Sequence, residues 1–268
     1  MAVVTFLSDY GLDDEFVGVC HGVIARIAPD VRVIDITHGI VRHEVRSGAL
    51  ALRRALEFMP AGVHLAVVDP GVGSSRRALA LRDEEGRSYV GPDNGLLIPA
   101  AERAGVAAAH ELANPEYALP SISRTFHGRD LFSPAAAHLV RGVELEKLGP
   151  PIDPEALVRL DLPQPDVRPN RIAATILYVD SFGNVALNIT REHVEELEIV
   201  PGMQLELDLG GERFYAVAAR TFADARAGDI MLYEDSYGNM SVAISNGDAA
   251  EMLHARAGQS LRINVARL

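Results

Sequence analysis

Val63-His64-Leu65-Ala66-Val67-Val68-Asp69-Pro70-Gly71-Val72-Gly73-Ser74-Ser75-Arg76-Arg77 is the stretch whose reading decides the fold. Its first six residues, all apolar except His64, are β-branched enough for a short buried strand. A proline and two glycines follow, so the backbone turns sharply and approaches a neighbour closely. Asp69 closes the strand at its carboxyl end, where open α/β sheets gather ligand-binding groups. Arg76 lies across the glycine loop and can face that carboxylate. Taken alone, Asp-Pro-Gly is a tight turn with a surface ion pair. A second polar cluster at the end of an apolar segment, Phe126-His127-Gly128-Arg129-Asp130, points to one site built from several loops.

Working outward, Val3 to Leu7 is a strand ended by Ser8-Asp9-Tyr10-Gly11. Asp13 or Asp14 is placed to cap a helix on which Phe16, Val19, Cys20, Val23, Ile24 and Ile27 recur at helical spacing. Val31 to Ile36 reads as a strand ending in Thr37-His38-Gly39, and Glu44 to Phe58 as a helix. With Val63 to Val68 this gives strand-helix-strand-helix-strand, the pattern of a mostly parallel sheet flanked by helices. A hairpin follows, Ala78–Leu81 and Ser88–Val90, then the dense turn Gly91-Pro92-Asp93-Asn94-Gly95 and a helix over Leu96 to Arg103. Asp130 is expected to cap a further helix through Val140, which sets His127 and Arg129 beside an N-terminus suited to anions.

Six prolines between Gly149 and Pro169 mark a linker. The expected organisation is an N-terminal α/β domain over residues 1–150, a Pro-rich linker over 151–170 and a β domain over 171–268. In the last part the apolar period changes to two: Ile172-Ala174-Ile176, Val185-Leu187-Ile189, Leu205-Leu207-Leu209 and Leu261-Ile263-Val265. Such alternation fits antiparallel strands in a sandwich or barrel. Tyr178-Val179-Asp180-Ser181-Phe182-Gly183-Asn184 is echoed by Tyr233-Glu234-Asp235-Ser236-Tyr237-Gly238-Asn239. Two readings stand side by side here. Both segments are hairpin turns with shared turn chemistry, or an aromatic beside an asparagine serves a purine, one stacking on its face and the other bonding its edge.

Composition narrows the function. The net charge of -12 over 268 residues argues against nucleic-acid and membrane-surface binding and suits a cationic small substrate. The lone Cys20 excludes an internal disulfide and a cysteine-based zinc cluster, and fits core packing on its helix. With no apolar run near the ~20 residues of a membrane span, the expected location is cytoplasmic. GxGxxG, Walker and Gly-x-Ser-x-Gly signatures are missing, which demotes hydride transfer, phosphoryl transfer and serine hydrolysis. Asp9, Asp69, His38 and His127 could be imagined around a metal, but no histidine pair has ligand spacing on one helix, so no metal is assigned. Asp69, Arg76 and His127 instead form a possible metal-free set for activating water, with the guanidinium and imidazole favouring hydroxide and the carboxylate orienting them. Each also has a structural reading, as turn, surface cation and loop histidine.

The opening Thr5-Phe6-Leu7-Ser8-Asp9-Tyr10-Gly11 with Phe16-Val17-Gly18, Val68-Asp69-Pro70-Gly71-Val72-Gly73 through Arg76-Arg77, Gly91-Pro92-Asp93-Asn94-Gly95 and Phe126-His127-Gly128-Arg129-Asp130 together resemble the S-adenosyl-L-methionine hydrolase family, the hydroxide adenosyltransferases related to the fluorinase and chlorinase. The resemblance implies an N-terminal α/β domain, a C-terminal antiparallel β-barrel, a homotrimer with sites between neighbouring subunits and no cofactor. It implies attack of hydroxide on the ribose C5′ of S-adenosylmethionine, releasing adenosine and methionine. By position, the hydroxide triad falls on Asp69, Arg76 and His127, with Arg77 competing for the arginine. Asp9 falls on the carboxylate that holds the ribose hydroxyls. Asn184 falls on the adenine-binding asparagine, with Phe182 beside the ring. Asp180 and Ser236 fall on the methionine end, and Ile244 on a backbone contact to adenine. Ser241 stands where the family commonly has a glutamate. The alternatives are a halide-using relative and a non-catalytic adenosine or S-adenosylmethionine sensor.

Overall fold

Alternation between two buried faces organises the first part of the chain. The computed structural model describes residues 2–265, which form two units divided between Leu160 and Asp161. In the first unit β1 (Val3–Ser8), α1 (Phe16–Ile27), β2 (Arg32–Thr37), α2 (Val45–Ala55) and β3 (Val63–Val67) realise the expected alternation. After them come β4 (Ala78–Asp83), β5 (Ser88–Pro92), α3 (Ile98–Ala101), β6 (Val106–Glu111), α4 (Ser133–Val140) and β7 (Pro151–Ile152). The sheet order is β2-β1-β3-β5-β4-β6-β7. Pairings β2–β1, β1–β3 and β3–β5 are parallel, and the hairpin β4–β5 begins an antiparallel remainder through β6 and β7.

Val4, Phe6, Val63, Leu65 and Val67 pack with Val17, Cys20 and Ile24 of α1 and Ala135, Ala136 and Leu139 of α4. Leu7, Ala66 and Val68 point the other way, against Leu52 of α2 and Ile98 of α3. Both faces are therefore covered, as parallel strands require. Cys20 is fully buried and its thiol is pushed up to about 11 by burial, so it packs and does not react at neutral pH.

The order β2-β1-β3 carries the functional consequence. The chain leaves β1 toward one neighbour and returns from β2 to the other, so strand order reverses between β1 and β3. Ligands of open α/β sheets bind outside the carboxyl ends of the strands at such a switch point. Asp9 follows β1 directly and Asp69 lies just beyond β3.

Some local expectations fail for physical reasons. Helix α1 begins after Glu15 with no side-chain cap, so neither Asp13 nor Asp14 caps it. Nor does Asp130 cap α4. It is buried inside a wide turn over Gly128–Phe132, where it accepts the Ser123 N–H at 2.8 Å and pairs with Arg129. The last turn of the helix expected to Phe58 is not helical, α2 stopping at Ala55, and only the central half of the one expected over Leu96 to Arg103 forms, as α3 over Ile98–Ala101.

The second unit contains β8 (Asp166–Arg168), β9 (Arg171–Val179), β10 (Val185–Thr190), α5 (Arg191–Glu196), β11 (Gln204–Leu209), β12 (Glu212–Ala218), β13 (Ile230–Glu234), β14 (Asn239–Ile244), α6 (Ala249–Leu253) and β15 (Ser260–Val265). The order β10-β14-β13-β12-β11-β15-β9 closes on itself through β9–β10, giving a seven-stranded barrel with β8 attached to β9. Ile172, Val185, Leu187, Leu205, Leu207, Leu261 and Ile263 fill its interior. The barrel is mixed, not purely antiparallel: β12 and β13 run parallel. Their connection crosses the outer face, where Phe222 meets Tyr233 at 5.0 Å between ring centroids. That cover buries Met231, Tyr233 and Ala243 from outside, while Leu232 and Val242 are buried from inside. Residues 151–170 are shared out, Pro151 and Ile152 pairing with β6 and Asp166–Arg168 with β9.

Candidate active site

Three side chains from two loops converge beyond β3. Arg76 Nε donates to Asp69 Oδ1 at 3.1 Å, and its NH2 group donates to Asp69 Oδ2 as well, so the guanidinium grips the carboxylate with two parallel bonds. The same NH2 group lies 3.1 Å from His127 Nδ1. A guanidinium can only donate, so Nδ1 must accept and the imidazole proton sits on Nε2. Both members of the ion pair are nearly covered, with side-chain exposures of 8% for Arg76 and 5% for Asp69. Phe132 lies under the guanidinium, 5.4 Å from its ring centroid to the guanidinium carbon. The wide turn before α4 sets that ring, and such turns concentrate at functional sites.

Burial dominates the electrostatics. It holds the Asp69 carboxyl above the usual carboxylate range, against the opposing charge and hydrogen bonds of Arg76. It also pushes His127 below the usual imidazole range, with the Arg76 charge adding to the effect. The histidine is thus neutral at neutral pH, a donor at Nε2 and an acceptor toward Arg76. Arg76 NH1 is buried and has no hydrogen-bond partner among the described residues. An unsatisfied cationic donor costs stability unless something polar meets it.

Beside this set is a cavity of about 360 Å³, lined by Asp9, Tyr10, Phe16, Asp69 and His127 among others. Asp9 Oδ2 accepts the His43 N–H at 3.0 Å, which leaves Oδ1 uncommitted in that bond. His43 adopts φ 68°, a left-handed conformation unfavourable for a side chain that large, and itself lines the cavity. Phe126 packs edge to face on Phe16 at 5.1 Å and on Tyr10 at 5.6 Å, and Tyr10 and Phe16 meet tilted at 6.0 Å, so the three rings form an apolar wall. A Cβ on Gly128 would overlap the Tyr10 hydroxyl, so only glycine lets that ring sit against the loop of His127.

Sequence reasoning placed Phe16 in the helix core, but it is 39% exposed and faces the cavity. Arg42, His43 and Thr125 also line it and carried no signal, since each lies outside a periodic segment. Asp93 and Asn94, from the dense turn after β5, act as a brace. Arg77 pairs with Asp93, and Asn94 Nδ2 holds the Val68 carbonyl at 2.8 Å. The two arginines are thereby separated, Arg76 to Asp69 and His127, Arg77 to Asp93.

In the second unit the two echoing segments have the same geometry. Asp180 Oδ1 accepts the N–H groups of Phe182 and Asn184 at 2.8 and 2.9 Å, and Asp235 Oδ1 those of Tyr237 and Asn239 at 2.8 and 3.0 Å. Gly183 and Gly238 both take φ 80°. Turn chemistry accounts for the aspartates and glycines, and leaves Phe182 77% exposed. Asn184 Nδ2 donates one hydrogen to Asp180 Oδ2 at 2.8 Å, which leaves its second N–H and its carbonyl oxygen to a ligand. Ser241 is buried and its hydroxyl donates to Asp235 Oδ2 at 3.1 Å, which makes it a support for the second turn. Ser236 is exposed, and the Ile244 carbonyl accepts the Gly247 N–H at 3.2 Å.

Comparison with known proteins decides the family. The N-terminal domain of the SAM hydroxide adenosyltransferases matches residues 4–149, and their C-terminal domain matches residues 174–262. The chain belongs to the SAM hydroxide adenosyltransferase family. This adenosyltransferase-family chain is 46% identical over 263 residues to an (R)-S-adenosyl-L-methionine hydrolase of Salinispora tropica, covering 97% of each. It is 29% identical to a fluorinase of Nocardia brasiliensis, covering 98% of this chain and 97% of the fluorinase. The crystal structure of an uncharacterized conserved protein from Thermotoga maritima superposes with a TM-score of 0.91 at 37% identity, covering 97% of this chain and 99% of that one. No helix of the described residues is long and apolar enough to cross a membrane.

Proposed function

We propose that this chain hydrolyses S-adenosyl-L-methionine to adenosine and L-methionine by attack of water-derived hydroxide on the ribose C5′. The observation that carries this reading is the Asp69–Arg76–His127 set beside a nucleoside-sized cavity. The reaction balances as a sulfonium cation plus water giving adenosine, methionine and one proton. The thioether leaves neutral, so no acid need protonate it. What remains for the protein is to hold a water in line with the carbon–sulfur bond and to favour its deprotonated form.

The buried NH1 of Arg76 and the Nε2–H of His127 are donors suited to an oxygen anion. Asp69 fixes the guanidinium, and its raised pKa makes it the base the set offers for the released proton. Asp9 holds the ribose diol through its remaining lone pairs, Asn184 and the Ile244 backbone contact adenine, and Phe182 stacks beside it. Asp180 and Ser236 are assigned to the methionine end. Ser241 stays a support, because its hydroxyl is committed to Asp235. The same reading includes a homotrimer in the cytoplasm, with no cofactor or metal in the reaction.

Incubation with S-adenosylmethionine in buffers containing chloride or fluoride tests the assignment against the halide-using relatives. The expected products, separated by chromatography, are adenosine and methionine at rates independent of halide. A 5′-halo-adenosine as main product would replace this reading, and tight binding with no product at all would make the chain a sensor.

A further inference from the structure

A second cluster of chemistry-bearing side chains lies on the same unit, away from the cavity. His21 of α1, Asp35 of β2 and His38 just beyond β2 bring one ligand atom each within 4.8 Å of one another. None of the three lines the cavity beside Asp69. His21 Nε2 is 2.8 Å and His38 Nε2 3.1 Å from the same oxygen, Asp35 Oδ1. Asp35 and His38 are an odd number of positions apart and would point to opposite faces of a regular strand. The register of β1 against β2 slips between Phe6 and Leu7, adding one residue on β2. That bulge turns His38 to the Asp35 side.

We propose that His21, Asp35 and His38 bind a divalent transition-metal ion of the zinc class. His38 is only 4% exposed, and its Nε2 makes no hydrogen bond among the described residues even though Asp35 is close. Its Nε2 is close to the carboxylate without being aligned for a hydrogen bond to it, which leaves that buried nitrogen's lone pair or proton unsatisfied within reach of the other two groups. The opposite nitrogen, Nδ1, is 2.7 Å from Ser8 Oγ. An outer partner on the second ring nitrogen is the usual companion of a metal-bound imidazole, because it fixes ring orientation and tautomer. Phe6 packs edge-on against His38 at 4.7 Å and beside His21 at 6.0 Å, giving the site an apolar floor. Partial exposure of His21 and Asp35 gives an ion its entry path. Two imidazoles and one carboxylate favour Zn²⁺, Co²⁺ or Ni²⁺ over Mg²⁺ or Ca²⁺, which prefer all-oxygen surroundings.

The position gives such an ion a role apart from the chemistry at C5′. The His38 backbone carbonyl accepts the Gly11 N–H at 2.8 Å, and Ser8 Oγ accepts the Tyr10 N–H at 3.3 Å. An ion there clamps α1 to the ends of β1 and β2 and steadies the turn that carries Asp9.

The test is calorimetric titration of chelator-treated, dialysed full-length protein with Zn²⁺, paired with the visible absorption of added Co²⁺. One ion per chain is expected, with a raised melting temperature on loading. His21→Gln and Asp35→Asn each should weaken binding by ~10²-fold or more and change the Co²⁺ spectrum. Both positions are at the surface, so the variants are expected to fold, and His38 need not be touched. Failure to bind one ion per chain, or equal binding by wild type and both variants, would overturn the assignment. Either result leaves the adenosine-forming reading standing, because hydrolysis is measured separately and runs through none of these residues.

Discussion

Arg76→Ala is expected to lower turnover of S-adenosylmethionine by ~10²-fold or more while the substrate dissociation constant stays largely unchanged. The substitution removes the donor that joins Asp69 to His127 and the buried NH1 group assigned to the nucleophile. It also leaves the Asp69 carboxylate buried without its cation, a change that typically costs about 3–5 kcal/mol. Arg76→Lys should recover little, because one ammonium cannot bond both carboxylate oxygens and the imidazole from a single fork.

A pH series separates the electrostatic account from a packing loss. Burial raises Asp69 and Arg76 opposes that rise, so removing the guanidinium lifts the carboxyl further. A carboxyl with a folded pKa above its unfolded value binds its proton more tightly in the folded state, so protonation stabilises the fold. The stability deficit of the alanine variant should therefore shrink as pH falls through that raised value. Denaturant titrations at several pH values check this, and a deficit constant with pH would mean that Asp69 carries no buried charge.

The second large effect is expected at Gly73. This residue has φ 77°, and a Cβ on it would overlap the backbone carbonyl oxygen of Arg124, three residues before His127. The glycine thus allows the loop of Asp69 and Arg76 to lie against the segment that carries the histidine. Gly73→Ala should cost about 2–4 kcal/mol of stability and lower kcat by at least ~10-fold through lengthening of the 3.1 Å Arg76–His127 contact. Gly86→Ala is the matched control. Gly86 has φ 84° but no atom within 4 Å of an added Cβ. It should lose only the ~1–2 kcal/mol of left-handed strain and keep its activity. Equal effects in the two variants would show that conformation alone, not the approach of the two loops, matters at Gly73.

What the sequence disclosed follows from how locally each feature is determined. The β-branched runs at Val3 and Val63 and the helical spacing after Phe16 were legible because each buries a periodic face, and Asp9 and Asp69 were legible because they end such runs. Strands β13 and β14 gave no alternating signal, since the Phe222 connection covers their outer face and makes every other residue apolar too. The same connection makes β12 and β13 parallel, which no pattern within either strand encodes. Asp130 carries the signature of a helix cap, yet tertiary partners at Ser123 and Arg129 claim it. Arg42 and His43 reach the cavity from an irregular segment with no period to read. The bond from Arg76 to His127 spans 51 residues, so it belongs to the fold and not to any one motif.

The most direct measurement of the central claim is the origin of the oxygen on C5′. A single-turnover reaction run in H₂¹⁸O and analysed by mass spectrometry should give adenosine carrying the heavy isotope in its 5′-hydroxyl, with unlabelled methionine beside it. Adenosine without label, or a product in which C5′ bears anything other than solvent oxygen, would contradict the hydroxide mechanism at Asp69, Arg76 and His127.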